Sequence, residues 1–316
     1  MPLQNLNKPL LVIVGPTAVG KTELSICLAE RLDGEIISAD SRYFYKGMDI
    51  GTAKPTLQEM RNIPHHLVDV ATPDQTWSLA IFQAAAQKAI EDVHRRGKLP
   101  ILVGGTGQYI HAVLEGWEMS DQPPNQPLRD ELERLAKLDG GKRLYEVLKI
   151  ADPTAAGFID PRNVRRTLRA WEVILTSGRR FSDQRRKDGS PYDHLIIGLI
   201  RPRDELYARV DQRIEMMVAQ GFQQEVEALL SSGCEANFPT MTAIGYREMC
   251  AVIQGKMSLE EALIQMKRLT RNFVRRQANW FRANDPSIHW FRVQEGVLDE
   301  ILPLIDDPRA WIKKSI

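Results

Sequence analysis

The segment GPTAVGKT, from Gly15 to Thr22, carries the residue types that bind phosphate. Its glycines, Gly15 and Gly20, let backbone N–H groups turn toward phosphate oxygens, Lys21 adds a positive charge, and the Thr22 hydroxyl can ligate Mg²⁺. The apolar run PLLVIV precedes the segment and a helical pattern follows it, which is the context this motif requires. The sequence therefore predicts a phosphate site, but not which bond of the bound substrate is broken.

A carboxylate is expected beside this loop. The predicted strand EIISAD ends at Asp40, and the carboxyl ends of parallel strands meet at one edge of a sheet. Asp40 could then ligate magnesium or act as a general base for a nucleophile that enters from the sheet edge. Alternatively, it could only cap the following turn.

A third predicted strand ends in the glycine-rich segment GGTGQY. Gly104, Gly105 and Gly107 permit close backbone approach, and Thr106 can hydrogen-bond a polar ligand. The spacing is not GxGxxG, so a dinucleotide site is not predicted.

Two further groups of polar residues are ambiguous. His65 and His66 lack a third ligand at metal spacing, so we expect packing or hydrogen bonding rather than a metal site. Arg209 and Arg213 lie one helical turn apart, where they could clamp a phosphate or form ordinary surface ion pairs.

The elements that position these residues alternate between strand and helix. Apolar runs predict strands over residues 9–14, 35–40, 99–105 and 194–200, separated by helical patterns. Continuous apolar strands predict a parallel sheet covered by helices on both faces, an α/β fold. Beyond residue 202 the pattern is helical, and one long helix is expected to begin at a capping box of Ser258 and Glu261 and to continue through Arg282.

Between residues 120 and 192 the strand signal is weak. Amphipathic helical stretches follow the proline-rich segment DQPPNQP, which indicates a helical insertion between two strands of the core. The predicted domains are a catalytic core of residues 1–119 and 193–316, and an insertion of residues 120–192.

The length and composition of the chain limit the classes of protein to which it can belong. The chain has 316 residues and 43% hydrophobic content, which suits one large domain or two modest ones. No apolar run reaches the roughly 18 residues of a membrane span, and the N-terminus lacks a signal-peptide pattern, so a cytoplasmic protein is expected. The three cysteines lack metal or disulfide spacing and are expected to be reduced, buried thiols.

The net charge of +1 conceals two basic segments. Residues 162–187 contain nine Lys and Arg against two acidic residues, and residues 267–282 contain six basic residues and no acidic ones. Such segments are typical of a polyanion-binding surface, although a solvated helix face is equally compatible with the charge alone. Trp280, Phe281 and Trp290 lie close in sequence to the second segment, where aromatic side chains could stack on RNA bases or belong to the core.

Several motifs in order along the chain resemble the bacterial tRNA dimethylallyltransferases, also called tRNA isopentenyltransferases. They are GPTAVGKT, SADSRYFYKGMDIGTAKP, PHHLVDV, LVGGTGQY, DPRNVRRTLRAWEV, RDELYARVDQRIEMM, AIGYRE and TRNFVRRQANWFR. The resemblance implies a P-loop NTPase-like core with a helical insertion domain that contacts the tRNA anticodon stem-loop. It also implies transfer of a dimethylallyl group from dimethylallyl diphosphate to N6 of adenosine 37, with Mg²⁺ and no membrane partner, and we expect a monomer.

The resemblance further implies roles for individual residues. Asp40 would accept the N6 proton, Arg209 would neutralise the departing diphosphate with Arg213, and Thr22 would ligate Mg²⁺. The diphosphate would be held by Gly15, Pro16, Thr17, Ala18, Val19, Gly20, Lys21 and Thr22. The tRNA contacts would be Asp40, Ser41, Arg42, Tyr43, Thr106, Arg129, Arg166, Arg169, Arg271 and Arg275. Tyr43 and Phe44 stand where many relatives carry Gln and Val.

Three other functions use the same residues. A small-molecule kinase would bind ATP in the loop and use Asp40 as base, but it leaves the basic segments without a role. An RNA-binding NTPase switch would show nucleotide-dependent RNA affinity without a covalent product. A closer variant would prenylate free AMP or ATP, and the two basic segments argue against it.

Overall fold

The computed structural model describes residues 6–117, 125–185 and 190–312. The strands are β1 (Leu10–Val14), β2 (Gly34–Ser38), β3 (His65–His66), β4 (Leu99–Gly104), β5 (His194–Ile200) and β6 (Ile288–Arg292). The helices are α1 (Lys21–Leu32), α2 (Leu79–Arg95), α3 (Gly107–Glu115), α4 (Gln126–Asp139), α5 (Lys142–Ala151), α6 (Pro153–Phe158), α7 (Val164–Ser177), α8 (Arg203–Ala219), α9 (Phe222–Ser231), α10 (Tyr246–Ile253), α11 (Leu259–Gln277) and α12 (Val297–Asp306).

The strands form one sheet in the order β3-β2-β4-β1-β5-β6, and every neighbouring pair is parallel. The predicted α/β fold with a parallel sheet flanked by helices is confirmed. All five residues of β1 are buried, as expected for a strand in the middle of a sheet covered on both faces. The carboxyl ends of β1, β2 and β4 meet at one edge, where the polar segments predicted to form the site begin.

Two edge strands were not predicted. β3 is a pair of histidines, and β6 has the sequence IHWFR, whose residues are mostly half-buried. Neither has the continuous apolar run or the strict alternation that identifies a strand from sequence. Their pairing partners in the sheet, β2 and β5, therefore decide their conformation.

The long C-terminal helix begins as predicted and ends earlier. The Ser258 side chain accepts from the Glu261 N–H, and the Glu261 carboxylate accepts from the Ser258 N–H, so the capping box is present. The helix ends at Gln277 rather than continuing through Arg282. After Gln277 the chain turns so that Phe281 stacks on His111 of α3, with ring centroids 6.2 Å apart.

The chain divides into two compact units. The first comprises Met1–Leu114 with Ser190–Ile316, and the second comprises Glu115–Gly189. The predicted insertion began at residue 120, which lies outside the described residues, and ended at 192. In the second unit, α5, α6 and α7 pack around a small core that includes Tyr145, Leu148 and Ala170.

None of the helices in the described parts of the chain is long and apolar enough to cross a membrane. The prediction that all three cysteines are buried is wrong: Cys250 is buried, whereas Cys27 and Cys234 are half-buried. Both lie at the margin of the core, where charged or polar groups such as Glu23 and Ser232 contact them.

Candidate active site

The segment between β1 and α1 has a backbone that only certain residues tolerate. Gly15 and Gly20 have φ values of +148° and +117°, and a Cβ at Gly15 would lie 2.8 Å from the Leu199 carbonyl oxygen. Ala18 also has a positive φ, 64°, which is uncommon for a residue with a side chain. Strained conformations of this kind persist where the surrounding structure holds them, and they cluster at ligand-binding loops.

Positively charged side chains hold the carbonyl groups of this phosphate loop, Gly15–Thr22. The Lys21 ammonium donates to the carbonyl oxygens of Gly15 and Pro16 at 3.0 and 2.8 Å. The Arg209 guanidinium donates to the carbonyl oxygen of Ala18 at 2.7 Å. Arg201, at the end of β5, donates to the carbonyl oxygen of Val19 at 3.0 Å. Arg201 was not identified from the sequence.

The cations around the phosphate loop are crowded and partly removed from water. Burial lowers the pKa of Lys21 to about 8, the charge of Asp40 opposes this shift, and the charge of Arg213 adds to it. Burial also lowers the pKa of Arg209, and Arg201 and Arg213 lower it further. A polyanion bound here would offset the cost of both the desolvation and the repulsion, because its negative charge favours the charged forms of these side chains.

The phosphate loop forms one end of a cavity of about 510 Å³. The predicted site residues that line it are Thr17, Ala18, Gly20, Lys21, Thr22, Asp40, Tyr43, Arg209 and Arg213. Apolar side chains, among them Ile26, Ile36 and Met217, line the same space. The cavity can therefore receive a molecule with an anionic end and an apolar part.

Asp40 follows β2, and it both forms hydrogen bonds within a turn and lines the cavity. One carboxylate oxygen, Oδ1, accepts from the Arg42 N–H at 3.0 Å, and the Asp40 carbonyl oxygen accepts from the Tyr43 N–H at 3.2 Å. These bonds form the turn cap that was one of the alternatives for this residue. The carboxylate also lines the cavity and interacts electrostatically with Lys21. Capping therefore accounts for part of the role of Asp40 and leaves a role in chemistry open.

Tyr43 forms part of the cavity wall. Its hydroxyl donates to the Ala53 carbonyl oxygen at 2.9 Å. Burial, and to a smaller extent the charge of Asp40, raise the pKa of Tyr43 well above its usual value. Ser41 and Arg42 are half-buried in the same turn and do not line the cavity. The next residue, Phe44, is fully buried and stacks on Phe82 and Tyr109.

Residues of the segment 49–56 also line the cavity, and α9 holds the start of this segment. The Glu225 carboxylate accepts from the N–H groups of Asp49, Ile50 and Gly51 at 2.9, 2.6 and 3.1 Å. The Tyr246 hydroxyl donates to the same carboxylate at 2.7 Å. Sequence reasoning missed Glu225, because a single Glu on an amphipathic helix carries no local signal of such a role.

The glycines at the end of β4 and just after it allow close contacts within the protein. A Cβ at Gly104 would lie 2.7 Å from the Ala39 carbonyl oxygen, and one at Gly107 would lie 2.3 Å from the Trp280 Cβ. The Thr106 carbonyl accepts from the N–H groups of Tyr109 and Ile110 at the start of α3. Thr106 itself is half-buried and does not line the cavity, so its contact with an acceptor remains a prediction.

Three of the arginines predicted to bind tRNA lie in the second unit. Arg129 and Arg169 each donate to the same oxygen of Glu172 at 2.9 Å, and this Glu side chain is only 3% exposed. The guanidinium of Arg166 lies 5.4 Å from the centroid of the Phe158 ring. Arg186 and Lys187, which belong to the basic segment 162–187, lie outside the described residues.

Two other predicted tRNA contacts lie on α11. Arg271 pairs with Asp211 of α8 and lies over the Tyr207 ring, so it joins the two helices. Arg275 hydrogen-bonds Asn272 of its own helix. Of the nearby aromatics, Trp280 is 41% exposed, Phe281 is buried, and Trp290 packs on Gly198 of β5.

The hydrogen bonding predicted as one possible role of the two histidines is observed. The His65 Nδ1 is 2.8 Å from the Ile63 carbonyl oxygen, and the His66 Nε2 is 2.6 Å from the Glu35 carboxylate. Within the described parts of the chain, no three His, Cys, Asp or Glu residues converge as a metal site would require. A metal held mainly by a hydroxyl, one carboxylate and a bound phosphate remains compatible with the cavity lining.

Comparison with known proteins identifies similar chains. The family described as IPPT, IPP transferase, matches residues 43–284. A tRNA dimethylallyltransferase of Thermomicrobium roseum is 47% identical over 291 residues, which are 92% of this chain and 88% of that protein. One of Roseiflexus castenholzii is 52% identical over 274 residues, 87% of this chain and 90% of that protein.

Two solved structures are similar along most of the chain. The tRNA isopentenylpyrophosphate transferase of Bacillus halodurans has a TM-score of 0.71 at 42% identity, over 95% of this chain and 96% of that one. A eukaryotic dimethylallyltransferase acting on tRNA has a TM-score of 0.78 at 29% identity, over 92% of this chain and 75% of that one.

Proposed function

The chain belongs to the IPP transferase family, and we propose that it transfers a dimethylallyl group from dimethylallyl diphosphate to N6 of adenosine 37 in tRNA, releasing diphosphate. The observation that carries the proposal is the cavity in which the cationic phosphate loop and the Asp40 carboxylate face the same space. The anionic end of the donor suits the loop, and the prenyl group suits the apolar lining. We further propose that the protein acts as a monomer, and a tRNA substrate would favour a reaction in the cytoplasm.

The phosphate loop would hold a leaving group. As the C1–O bond of the donor breaks, its electron pair goes to the diphosphate, and positive charge delocalises over the allylic carbons. Lys21, Arg209 and Arg213 would stabilise the negative charge that develops on the diphosphate. The crowding of these cations favours this role, because an anion reverses the cost of bringing them together.

Magnesium would be held by the Thr22 hydroxyl, and the Asp40 carboxylate is the other oxygen ligand that we propose from the cavity lining. Both are hard oxygen donors that line the cavity, and Mg²⁺ usually takes its remaining ligands from substrate phosphates and water. When bound, the ion would add positive charge beside the leaving diphosphate.

Asp40 would accept the proton that N6 loses as the new C–N bond forms. The exocyclic amine is a weak nucleophile, because its lone pair is shared with the ring, so proton removal and close positioning must both contribute. The cap that holds Asp40 Oδ1 orients the carboxylate, because the Arg42 N–H fixes one of its two oxygens.

The tRNA would be recognised by its anticodon stem-loop, with adenosine 37 flipped out of its stack. Ser41, Arg42 and Tyr43 would line the entrance for the base, and Thr106 would touch the acceptor nucleotide. Arg129, Arg166 and Arg169 of the second unit would bind phosphates, as would Arg271 and Arg275 of α11. The pairing of Arg129 and Arg169 with buried Glu172 would pre-orient both guanidiniums.

The direct test is mass spectrometry of nucleosides from tRNA incubated with the protein, dimethylallyl diphosphate and Mg²⁺. We expect one adenosine per tRNA to gain a C5H8 unit. A parallel reaction with ATP in place of the prenyl donor tests phosphoryl transfer, and one with AMP in place of tRNA tests prenylation of the free nucleotide. Unchanged adenosine in the first reaction would defeat the proposal.

A further inference from the structure

We infer that Gln277 is a positioning residue that sets the spacing between the phosphate loop and the segment Gly104–Gly107, which leads from the end of β4 to the start of α3. The inference rests on the proposed function, because that segment contains Thr106, the proposed contact of the acceptor nucleotide. Gln277 is the last residue of α11 and its side chain is 5% exposed.

The Gln277 amide joins the two segments directly. Its oxygen accepts from the Thr17 N–H at 2.9 Å, and its nitrogen donates to the Gly105 carbonyl oxygen at 3.1 Å. A backbone N–H can only donate and a carbonyl can only accept, so these partners allow one orientation of the amide. The side chain is therefore held at both ends by loops that follow neighbouring strands, β1 and β4.

Other atoms pack tightly around the Gln277 amide. A Cβ at Gly105 would lie 2.3 Å from the Gln277 nitrogen and 3.1 Å from the Gly15 carbonyl oxygen. Two residues further along, a Cβ at Gly107 would meet the Trp280 side chain at 2.3 Å. Gln277 and Trp280, at and just after the end of α11, therefore pack closely against the segment Gly104–Gly107, and Gln277 also contacts Thr17.

This spacing matters because the two loops would carry the two reactants. Thr17 lines the cavity at the donor end. The transfer requires C1 of the prenyl group and N6 of adenine to reach about 3 to 3.5 Å with aligned orbitals, and a misplacement of about 1 Å can cost about 100-fold in rate. Removing Gln277 should therefore slow the chemical step more than it weakens binding of either reactant.

The test compares two variants of Gln277 with a matched control. Gln277→Leu removes both hydrogen bonds at similar volume, and Gln277→Glu keeps an acceptor for Thr17 while removing the donor to Gly105. The control is Gln83→Leu: Gln83 is also buried, and its side-chain nitrogen donates at 2.8 Å to the Ala112 carbonyl oxygen, away from the cavity. Single-turnover prenylation, the affinity for dimethylallyl diphosphate, the affinity for tRNA and the melting temperature are measured for each.

We expect Gln277→Leu to lower the single-turnover rate by about 10-fold to 100-fold, with both affinities within about threefold of wild type. Gln277→Glu should lose at least as much rate, because it sets a carboxylate oxygen against the Gly105 carbonyl oxygen, and Gln83→Leu should lose thermal stability but not rate. A wild-type rate in either Gln277 variant would overturn the inference, as would a loss of donor affinity equal to the loss of rate. If Gln277→Leu does not fold, the Glu variant decides by the same criteria. A wild-type protein that transfers no C5 unit would instead contradict the proposed function.

Discussion

Replacing Asp40 by Asn separates the roles that the structure leaves open for this residue. The Asn side chain has the same shape, and its amide oxygen can still accept from the Arg42 N–H, now 3.0 Å from Oδ1 of Asp40. The turn cap should therefore survive. What the variant loses is the negative charge and the ability to take a proton from N6.

The expected effect is large on rate and small on stability. General base catalysis contributes about 10²-fold to 10⁴-fold, which corresponds to about 2.7 to 5.4 kcal/mol of barrier. Loss of a cap costs about 1 kcal/mol of stability, and because the amide oxygen preserves this cap, the change should be smaller. If capping were the whole role of Asp40, the rate would stay near that of wild type.

The assay must distinguish loss of the Asp40 carboxylate from a change in the protonation of Lys21. The charge of Asp40 raises the pKa of Lys21, which burial lowers to about 8, so the variant should bring that pKa down further. At pH 7.5 part of the rate loss would then come from a deprotonated Lys21. Single-turnover prenylation is therefore measured at pH 6.5 and pH 7.5 over a magnesium series, with donor affinity and melting temperature measured alongside.

Asp69→Asn is the matched control, because Asp69 lies outside the cavity lining and its partner Lys54 keeps a second carboxylate, Asp49. We expect it to retain the wild-type rate. Recovery of the Asp40→Asn rate at high Mg²⁺, together with weakened donor binding, would refute the general base and favour a metal ligand. A rate within threefold of wild type at both pH values would refute both chemical roles.

Three further predictions concern the phosphate loop and the RNA surface. Lys21→Ala and Thr22→Ala should weaken diphosphate binding and lower turnover without unfolding the chain. Calorimetric titration with inorganic diphosphate measures the binding, and circular dichroism checks the fold. Wild-type affinity for diphosphate in both variants would be inconsistent with the leaving-group role of the loop. Because burial lowers the pKa of Lys21 to about 8 in the folded chain, its charge opposes folding below that pH, and the cost disappears as pH rises toward its ordinary value of 10.5. Urea unfolding should therefore show wild type gaining stability relative to Lys21→Ala between pH 8 and 10, and a constant difference would contradict the shift. Neutralising Arg268 and Arg275 together should raise the KM for tRNA. It should also reduce the slope of log affinity against log salt concentration by about 0.7 to 0.9 for each phosphate contact that is lost. The control Arg95→Gln on α2 should leave that slope unchanged.

Local patterns in the sequence were sufficient for several parts of this protein. The phosphate loop was predictable because GPTAVGKT lies between an apolar run and a helical pattern, and each of its residue types has one physical use. The inner strands β1, β2, β4 and β5 were predictable because strands buried on both faces are apolar throughout. Asp40 was placed at the correct sheet edge because parallel strands bring their carboxyl ends together. The Ser258 and Glu261 capping box is local by nature, since its two bonds span three residues.

The tertiary structure decided which distant residues hold these parts in place. Gln277 reaches Thr17 across 260 residues, Arg201 reaches Val19 across 182, and Glu225 reaches the segment 49–51 across at least 174. Each is a single polar residue, and no local periodicity or spacing indicates which distant residue it contacts. The edge strand β6 and the end of α11 at Gln277 were likewise decided by what packs beside them. The sequence determined the chemical groups of the site through local pattern, whereas their spacing came from hydrogen bonds that form only once the chain has folded.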